Sequence, residues 1–195
     1  ALEWTVSEIG FGCWAIGSEW GEVLETDARD VLKTSFDQGI NFFDTADVYG
    51  DGRSEKFVGE LIKSTSEKIY VATKSGRRLN PHTPEGYNIK DIESFIDRSL
   101  LNLGVESIDL LQLHCPPSEI CSKKETYEMM DEIVKRGKIV NYGVSVEKIS
   151  EAMDAIQFPN VKSIQIIFNI FRQKPAELFF KEAAKKNVAI IVRVP

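Results

Sequence analysis

The chain has 195 residues, of which 43% are hydrophobic and 28% are charged, a composition typical of a soluble globular domain. Its net charge of −6 argues against a nucleic-acid-binding protein, because such proteins need a basic surface to displace counterions. No apolar run approaches the roughly 20 residues that a membrane-spanning helix needs, so the sequence gives no support to a membrane role.

Apolar, β-branched runs alternate with segments of helical period, which indicates a repeated strand-and-helix unit. The runs begin near Ile9, Ile40, Ile69, Ile108, Ile139, Ser163 and Val188. The helical segments are 27–38, 54–65, 89–103, 123–136, 147–156 and 175–186. Runs such as 110–113 and 188–192 are apolar at nearly every residue, which indicates a parallel sheet covered by helices.

This alternation fits either a doubly wound open sheet or a closed eight-fold barrel. A dinucleotide-binding open sheet would carry a Gly-x-Gly-x-x-Gly turn after its first strand, but Gly10 and Gly12 are followed by Ala15 in place of the third glycine. Ionisable residues at the ends of several strands are typical of a barrel active site. We therefore predict a TIM-type (β/α)8 barrel as a single domain over 1–195. Because only seven strands can be placed, we expect the last strand and the C-terminal helices to be missing.

Four ionisable side chains stand at the predicted strand ends. Asp44 ends the second run and Tyr49 follows five residues later, while Lys74 and His114 end the third and fourth runs. We expect all four to gather at one rim, where they could protonate a carbonyl oxygen. The pKa of free tyrosine is ~10, so we expect a neighbouring ammonium to lower the pKa of Tyr49, and Lys74 is the candidate. Each residue also has a structural alternative. Tyr49 would be an aromatic that packs on a loop at the rim, and Asp44 would cap the turn after its strand. Lys74 would form a structural ion pair, and His114 would be a hydrogen-bonded core histidine.

Four segments that contain these residues resemble the signature segments of the aldo-keto reductases. The segments are FDTADVYG at 43–50, ATK at 72–74, LH at 113–114 and YGVS at 142–145. The resemblance extends over 6–195 and implies an enzyme that reduces aldehydes or ketones with NADPH, its partner being a small-molecule carbonyl compound. It also implies that Tyr49 is the proton donor and that Lys74, Asp44 and His114 assist it.

The resemblance also implies where the cofactor binds. The matching positions are Gly12, Cys13, Trp14, Asp44, Ser145, Gln165 and Arg193. Val146 departs from the asparagine that many members have after the serine, and Arg193 replaces an aromatic residue that often stacks on the nicotinamide. The family grips the 2′-phosphate after the eighth strand, beyond Pro195. We therefore expect this chain alone to bind NADPH poorly, and we expect its unpaired first and seventh strands to favour self-association.

The loops at the predicted rim suggest walls for a substrate site. Trp14 and Trp20 flank the loop after the first strand, and Tyr87 lies in the long segment 75–88, where long loops usually carry function. The same segment contains three basic residues that would form either an anion subsite or a solvated loop: Arg77, Arg78 and His82.

Other readings follow from the cysteines and from Lys74. The three cysteines are an odd number without a Cys-x-x-Cys pair, which favours a reducing, cytoplasmic location over a disulfide framework. Cys13, His114 and Cys115 are weak metal-ligand candidates because they lie on two segments and lack a fourth partner, so we predict no metal. A cofactor-binding regulatory subunit, or an inactive fragment of the same barrel, is the alternative to an enzyme. A lyase that uses Lys74 as a Schiff-base nucleophile is a second enzymatic alternative.

Overall fold

A computed structural model of the protein describes residues 2–17 and 21–195. Its strands form one parallel sheet in which each strand pairs with the next along the chain, from β1 to β7. The strands are β1 Phe11–Gly12, β2 Phe42–Asp44, β3 Tyr70–Ser75, β4 Ile108–His114, β5 Ile139–Ser145, β6 Val161–Ile167 and β7 Ala189–Arg193. Parallel strands in chain order with helical connections are the arrangement of a (β/α)8 barrel wall, as predicted.

Helices connect the successive strands from β1 to β7. They are α1 Glu25–Asp37, α2 Arg53–Ser64, α3 Ile89–Leu103, α4 Lys124–Lys135, α5 Ile149–Ala155, α6 Lys174–Leu178 and α7 Phe180–Lys185. The predicted helix 175–186 is thus two short helices. The break lies at Phe179, whose φ of −119° departs from helical geometry and whose side chain is fully buried.

The third helix shows how the sequence sets the bounds of an element. At its start, the side chain of Asn88 accepts a hydrogen bond from the backbone N–H of Asp91. At its end, Gly104 adopts a φ of 66°, a left-handed conformation that glycine tolerates without steric cost. Ile92 and Ile96 lie one turn apart on the buried face, so α3 covers the sheet with an apolar stripe.

The first strand is shorter than predicted. The run was expected from Ile9, but that side chain is 73% exposed and only Phe11–Gly12 pairs with β2. Gly10 and Gly12 leave this stretch with few side chains to bury, so apolar packing cannot hold a longer strand.

The parallel register brings the carboxyl ends of the strands to one rim. Paired positions there are Gly12 with Asp44, Lys74 with Gln112, His114 with Ser145, and Ser145 with Gln165. In 2–17 and 21–195, no helix has both the length and the apolar character needed to cross a membrane.

Candidate active site

The ammonium group of Lys74 lies at the centre of the rim. It donates hydrogen bonds to Oδ2 of Asp44 at 2.7 Å and to the backbone carbonyl of Thr45 at 2.8 Å, and it lies 3.4 Å from the hydroxyl of Tyr49. The side chain is only 1% exposed. An ammonium has three N–H donors, so these oxygens satisfy a cation that would otherwise be costly to bury.

The carboxylate of Asp44 is held from three other strands. Its Oδ2 accepts from Lys74 on β3, and its Oδ1 accepts from Nε2 of Gln165 on β6 at 2.9 Å and from Nε2 of Gln112 on β4 at 3.3 Å. Sequence reasoning missed Gln112. The sequence does mark this position, because Gln112 is an uncharged polar residue within the apolar run 108–114. The structure buries its side chain completely.

The ring of Tyr49 lies among the other rim residues. It stands 5.9 Å from the imidazole of His114 in an edge-on arrangement, and 6.2 Å from the indole of Trp14 at an interplanar angle of 26°. The ammonium of Lys74 lies 5.0 Å from the ring centroid. All four residues predicted for proton delivery, Asp44 included, are thus brought together.

The pKa of Tyr49 is raised above its ordinary value. Burial raises it and outweighs the neighbouring charge of Lys74, which lowers it. We expected the ammonium to give a lowered pKa, so burial reverses the direction. A phenol with a raised pKa keeps its proton at neutral pH, which is the form that a proton donor requires.

Lys74 and His114 differ in charge: the first is a cation and the second is neutral. Burial lowers the pKa of Lys74, but the charges of Asp44 and Tyr49 and the hydrogen bonds to them raise it above its ordinary value, so the ammonium stays charged. Burial and the positive charges of Lys74 and Arg77 hold the pKa of His114 well below its usual range. His114 is therefore a neutral imidazole at pH 7, and its buried Nδ1 has no hydrogen-bond partner in the described part of the chain.

Two of the predicted cofactor residues continue the hydrogen-bond network of Asp44. The hydroxyl of Ser145 donates to Oε1 of Gln165 at 3.0 Å, and Gln165 donates in turn to Asp44. Ser145 and Gln165 are both 1% exposed. Their polar groups thus lie at the rim, beside the carboxylate.

The loop after β1 meets the site through its backbone. Cys13 donates its N–H to the carbonyl of Asp44 at 2.8 Å, while its thiol is fully buried and burial raises the thiol pKa. Gly12 is exposed, and a Cβ added there would meet no atom within 4 Å. Trp14 is 44% exposed beside Tyr49. Gly12 and Trp14 therefore face open space at the rim, whereas the thiol of Cys13 does not.

Arg193 lies at the rim, where it is the last residue of β7. Its Nη2 donates to the carbonyl of Val146 at 3.1 Å and lies 3.6 Å from the sulfur of Cys115. Its Nε is buried and has no hydrogen-bond partner within 2–17 and 21–195. The side chain is thus held by residues directly after β4 and β5 and is no freely solvated arginine.

Two other residues predicted to line the substrate site, Tyr87 and Arg77, are paired with other side chains. Trp20 lies outside the described residues, and the hydroxyl of Tyr87 lies 2.8 Å from Nε2 of His82. Arg77 pairs with Glu147 at 3.5 Å, so a carboxylate compensates its charge. A cleft of about 360 Å³ beside the rim is lined by both positively and negatively charged residues. Its lining is Arg77, His82, Cys115, Pro116, Pro117, Ser118, Glu147, Lys148 and Glu151.

The described residues include no group of three or more His, Cys, Asp or Glu placed to hold a metal ion.

Asp47 is a second residue that sequence reasoning missed. Its side chain is fully buried, and neither carboxylate oxygen has a well-aligned hydrogen-bond partner in the described part of the chain, the backbone N–H of Val48 interacting with it only weakly. Glu55 is also fully buried, but Thr73 and Asn102 donate to its oxygens at 2.6 and 2.9 Å. Burial, together with the charge of Glu55, raises the pKa of Asp47 to about 7.

We expect Asp47→Asn to stabilise the protein above neutral pH. The raised pKa means that the folded state keeps a proton that the unfolded state releases near pH 4, so wild-type stability falls as pH rises from about 4 to 7. The variant lacks this penalty and should gain up to about 4 kcal/mol at pH 8 and almost nothing at pH 4. Denaturant unfolding at both pH values, with the exposed Asp30→Asn as control, measures the difference. An equal effect at both pH values would contradict the burial of an ionisable Asp47.

Comparisons with known proteins agree with the fold. The chain matches the model of the "Aldo/keto reductase family" over residues 8–195. It is 31% identical to "Uncharacterized oxidoreductase YqkF" of Bacillus subtilis over 97% of this chain and 61% of that protein. It is 31% identical to "Aldo-keto reductase yakc [NADP(+)]" of Schizosaccharomyces pombe over 98% of this chain and 58% of that protein. The chain thus spans less than two thirds of these relatives.

A solved structure supports the same conclusion. The holo form of aldo-keto reductase AKR11C1 from Bacillus halodurans superposes with a TM-score of 0.81 at 31% identity, covering 96% of this chain and 62% of that one. The predicted barrel class is confirmed.

Proposed function

The chain belongs to the aldo/keto reductase family, and we propose that its rim reduces aldehydes or ketones to alcohols with NADPH. The observation that carries the proposal is the contact of one buried ammonium, that of Lys74, with both the carboxylate of Asp44 and the hydroxyl of Tyr49. This arrangement holds a protonated phenol beside a permanent positive charge. It suits a reaction in which an oxygen atom gains a proton as negative charge develops on it.

In the proposed reaction, Tyr49 gives its phenolic proton to the carbonyl oxygen of the substrate. The phenolate that remains is stabilised by the charge of Lys74, which Asp44 holds in place. Neutral His114 lies against the same ring and has one N–H, with which it orients the carbonyl oxygen. Proton transfer by such a positioned group typically contributes roughly 10² to 10⁴ in rate.

The polar groups at the rim fit a nicotinamide cofactor. Ser145 and Gln165 offer a hydroxyl and an amide that could reorient toward a carboxamide, and the buried Nε of Arg193 is an unsatisfied donor in the described part of the chain. Gly12 leaves open space in front of β1. The bound cofactor would supply the hydride. The relative from S. pombe has NADP(+) in its name, which supports NADPH as the cofactor proposed here.

Multiple-turnover reduction separates this proposal from a binding subunit. We expect the intact protein to oxidise NADPH in the presence of aldehydes or ketones for many cycles, followed at the absorbance of the reduced cofactor. Binding of NADPH without turnover across a panel of aldehydes and ketones would favour the regulatory-subunit alternative. The Schiff-base lyase is disfavoured because its nucleophile must be a neutral amine, whereas Lys74 has a raised pKa and is tied to Asp44.

We propose a cytoplasmic location, which the free state of Cys13, Cys115 and Cys121 supports. The partner is a small carbonyl compound. Self-association through the outer edges of β1 and β7 stays a prediction, which light scattering would test.

We expect Arg193→Tyr to narrow the preference for NADPH over NADP⁺. A guanidinium beside the nicotinamide opposes the positive charge that the oxidised ring carries, so the intact wild type should bind the reduced cofactor more tightly. Removing that charge should reduce the dissociation constant of NADP⁺ divided by that of NADPH by about tenfold. Both constants are measured by tryptophan fluorescence. Arg136→Tyr, at an ion pair with Glu93 directly after the end of α4, is the control. A common shift of both constants would contradict the placement of the Arg193 guanidinium beside the nicotinamide.

A further inference from the structure

The turn that follows Tyr49 has an unusual backbone. Gly50, Asp51 and Gly52 all adopt positive φ values, of 58°, 55° and 90°. A Cβ on Gly50 would lie 2.3 Å from the carbonyl oxygen of Gly17, so only glycine fits there. Asp51 is the one residue of the three that carries a side chain in this costly conformation. The turn therefore needs contacts from outside to hold it.

Two arginines from distant parts of the chain supply those contacts. Nη1 of Arg78, from the loop after β3, donates to Oδ1 of Asp51 at 2.6 Å. Nη2 of Arg98, on α3, donates to the same oxygen at 2.9 Å and also to the backbone carbonyl of Asp51. The two hydrogen bonds hold the pKa of Asp51 below its ordinary value.

Arg78 also reaches the other side of Tyr49. Its Nη1 lies 3.4 Å from the backbone carbonyl of Asp47, two residues before the tyrosine, while Asp51 stands two residues after it. The arginine thus spans the five-residue segment at whose centre Tyr49 stands. The hydroxyl of Tyr49 lies 3.4 Å from Lys74, a long contact, so placement of the phenol depends on how firmly this backbone is held.

We propose that Arg78 and Arg98 are positioning residues for the phenol of Tyr49, acting through Asp51. The inference rests on the proposed function, in which that phenol delivers the proton. A displacement of about 1 Å at a reacting group can cost on the order of 10²-fold in rate. If these pairs were merely surface ion pairs, their removal would alter stability slightly and leave the chemistry unchanged.

The test compares Arg78→Met and Arg98→Met, singly and together, with Arg29→Met in the intact protein. Arg29 is a matched control because it also bridges two carboxylates, those of Glu25 and Glu60, on helices α1 and α2. We expect the double variant to lose about tenfold to 10²-fold in single-turnover reduction, with the dissociation constant of NADPH changed less than about twofold. Arg29→Met should stay within about twofold in both. Arg78→Lys should restore part of the rate that Arg78→Met loses.

A readout without turnover keeps this inference separate from the proposed function. In protein labelled with ¹³C at the tyrosine ring carbon that bears the hydroxyl, the NMR signal missing from Tyr49→Phe identifies Tyr49. We expect it to shift or broaden in the double variant and not in Arg29→Met, whether or not any substrate is turned over. Asp51→Asn, in which asparagine tolerates a positive φ but lacks the charge, should change the signal in the same direction if the double variant does not fold. An unchanged signal in the folded variants, with rates within about twofold of wild type, would overturn the proposal.

Discussion

Tyr49→Phe is expected to lower the rate of carbonyl reduction by roughly 10² to 10⁴ while the dissociation constant of NADPH changes little. The substitution removes only the hydroxyl, and the ring that packs between Trp14 and His114 remains. Without the hydroxyl, the site has no phenolic proton to give to the carbonyl oxygen. Single-turnover oxidation of bound NADPH in the intact protein measures the effect on the chemical step.

Tyr70→Phe is the control for this substitution, because its ring stacks on Trp4 away from the rim. It should retain the wild-type rate within about twofold, since ordinary surface substitutions have small effects. Retention of more than about a tenth of wild-type turnover by Tyr49→Phe, with chemistry rate-limiting, would remove Tyr49 from the role of proton donor.

Lys74→Met is expected to abolish measurable reduction and also to destabilise the fold. The phenol of Tyr49 would lose the positive charge that opposes the effect of burial on its pKa, so phenolate formation would become harder. Asp44, only 19% exposed, would lose its cationic partner. Breaking a buried pair from one side typically costs about 3 to 5 kcal/mol, so we expect a loss of that size in the free energy of unfolding.

Lys68→Met separates this effect from the loss of any lysine. Lys68 pairs with Asp109 at 2.6 Å, but its side chain is 58% exposed. An exposed pair contributes about 0 to 1 kcal/mol, so this variant should remain stable and active. Denaturant unfolding and NADPH oxidation are measured on both variants. Equal losses for Lys68→Met and Lys74→Met would show that burial of the Lys74 ammonium has no special consequence.

Much of the fold was predictable because most of its strands and helices carry local signals. The apolar runs that end at Asp44, Lys74 and His114 fixed which strand ends carry chemistry, and parallel pairing then placed them on one rim. Helix α3 has the predicted bounds because Asn88 caps its start and Gly104 ends it.

The rest of the site depends on contacts between residues distant in sequence. Gln112 lies 68 positions from Asp44, and no local pattern indicates that its amide reaches that carboxylate. The orphaned carboxylate of Asp47 and the raised pKa of Tyr49 are consequences of burial, which depends on packing from several elements. The break at Phe179 was missed for a similar reason, since tertiary packing of that ring interrupts an otherwise helical pattern.

The transfer of deuterium from NADPH labelled at the transferring position of the nicotinamide tests the central claim most directly. The intact protein is mixed with labelled NADPH and an aldehyde, and the alcohol product is analysed by mass spectrometry. If the rim of Asp44, Tyr49, Lys74 and His114 is a carbonyl-reducing site, the alcohol will carry one deuterium on the former carbonyl carbon for each NADPH oxidised. Tyr49→Phe should form this product roughly 10² to 10⁴ more slowly while still binding the cofactor. An alcohol without deuterium, or no alcohol from any aldehyde or ketone in the presence of bound NADPH, would contradict the proposed function.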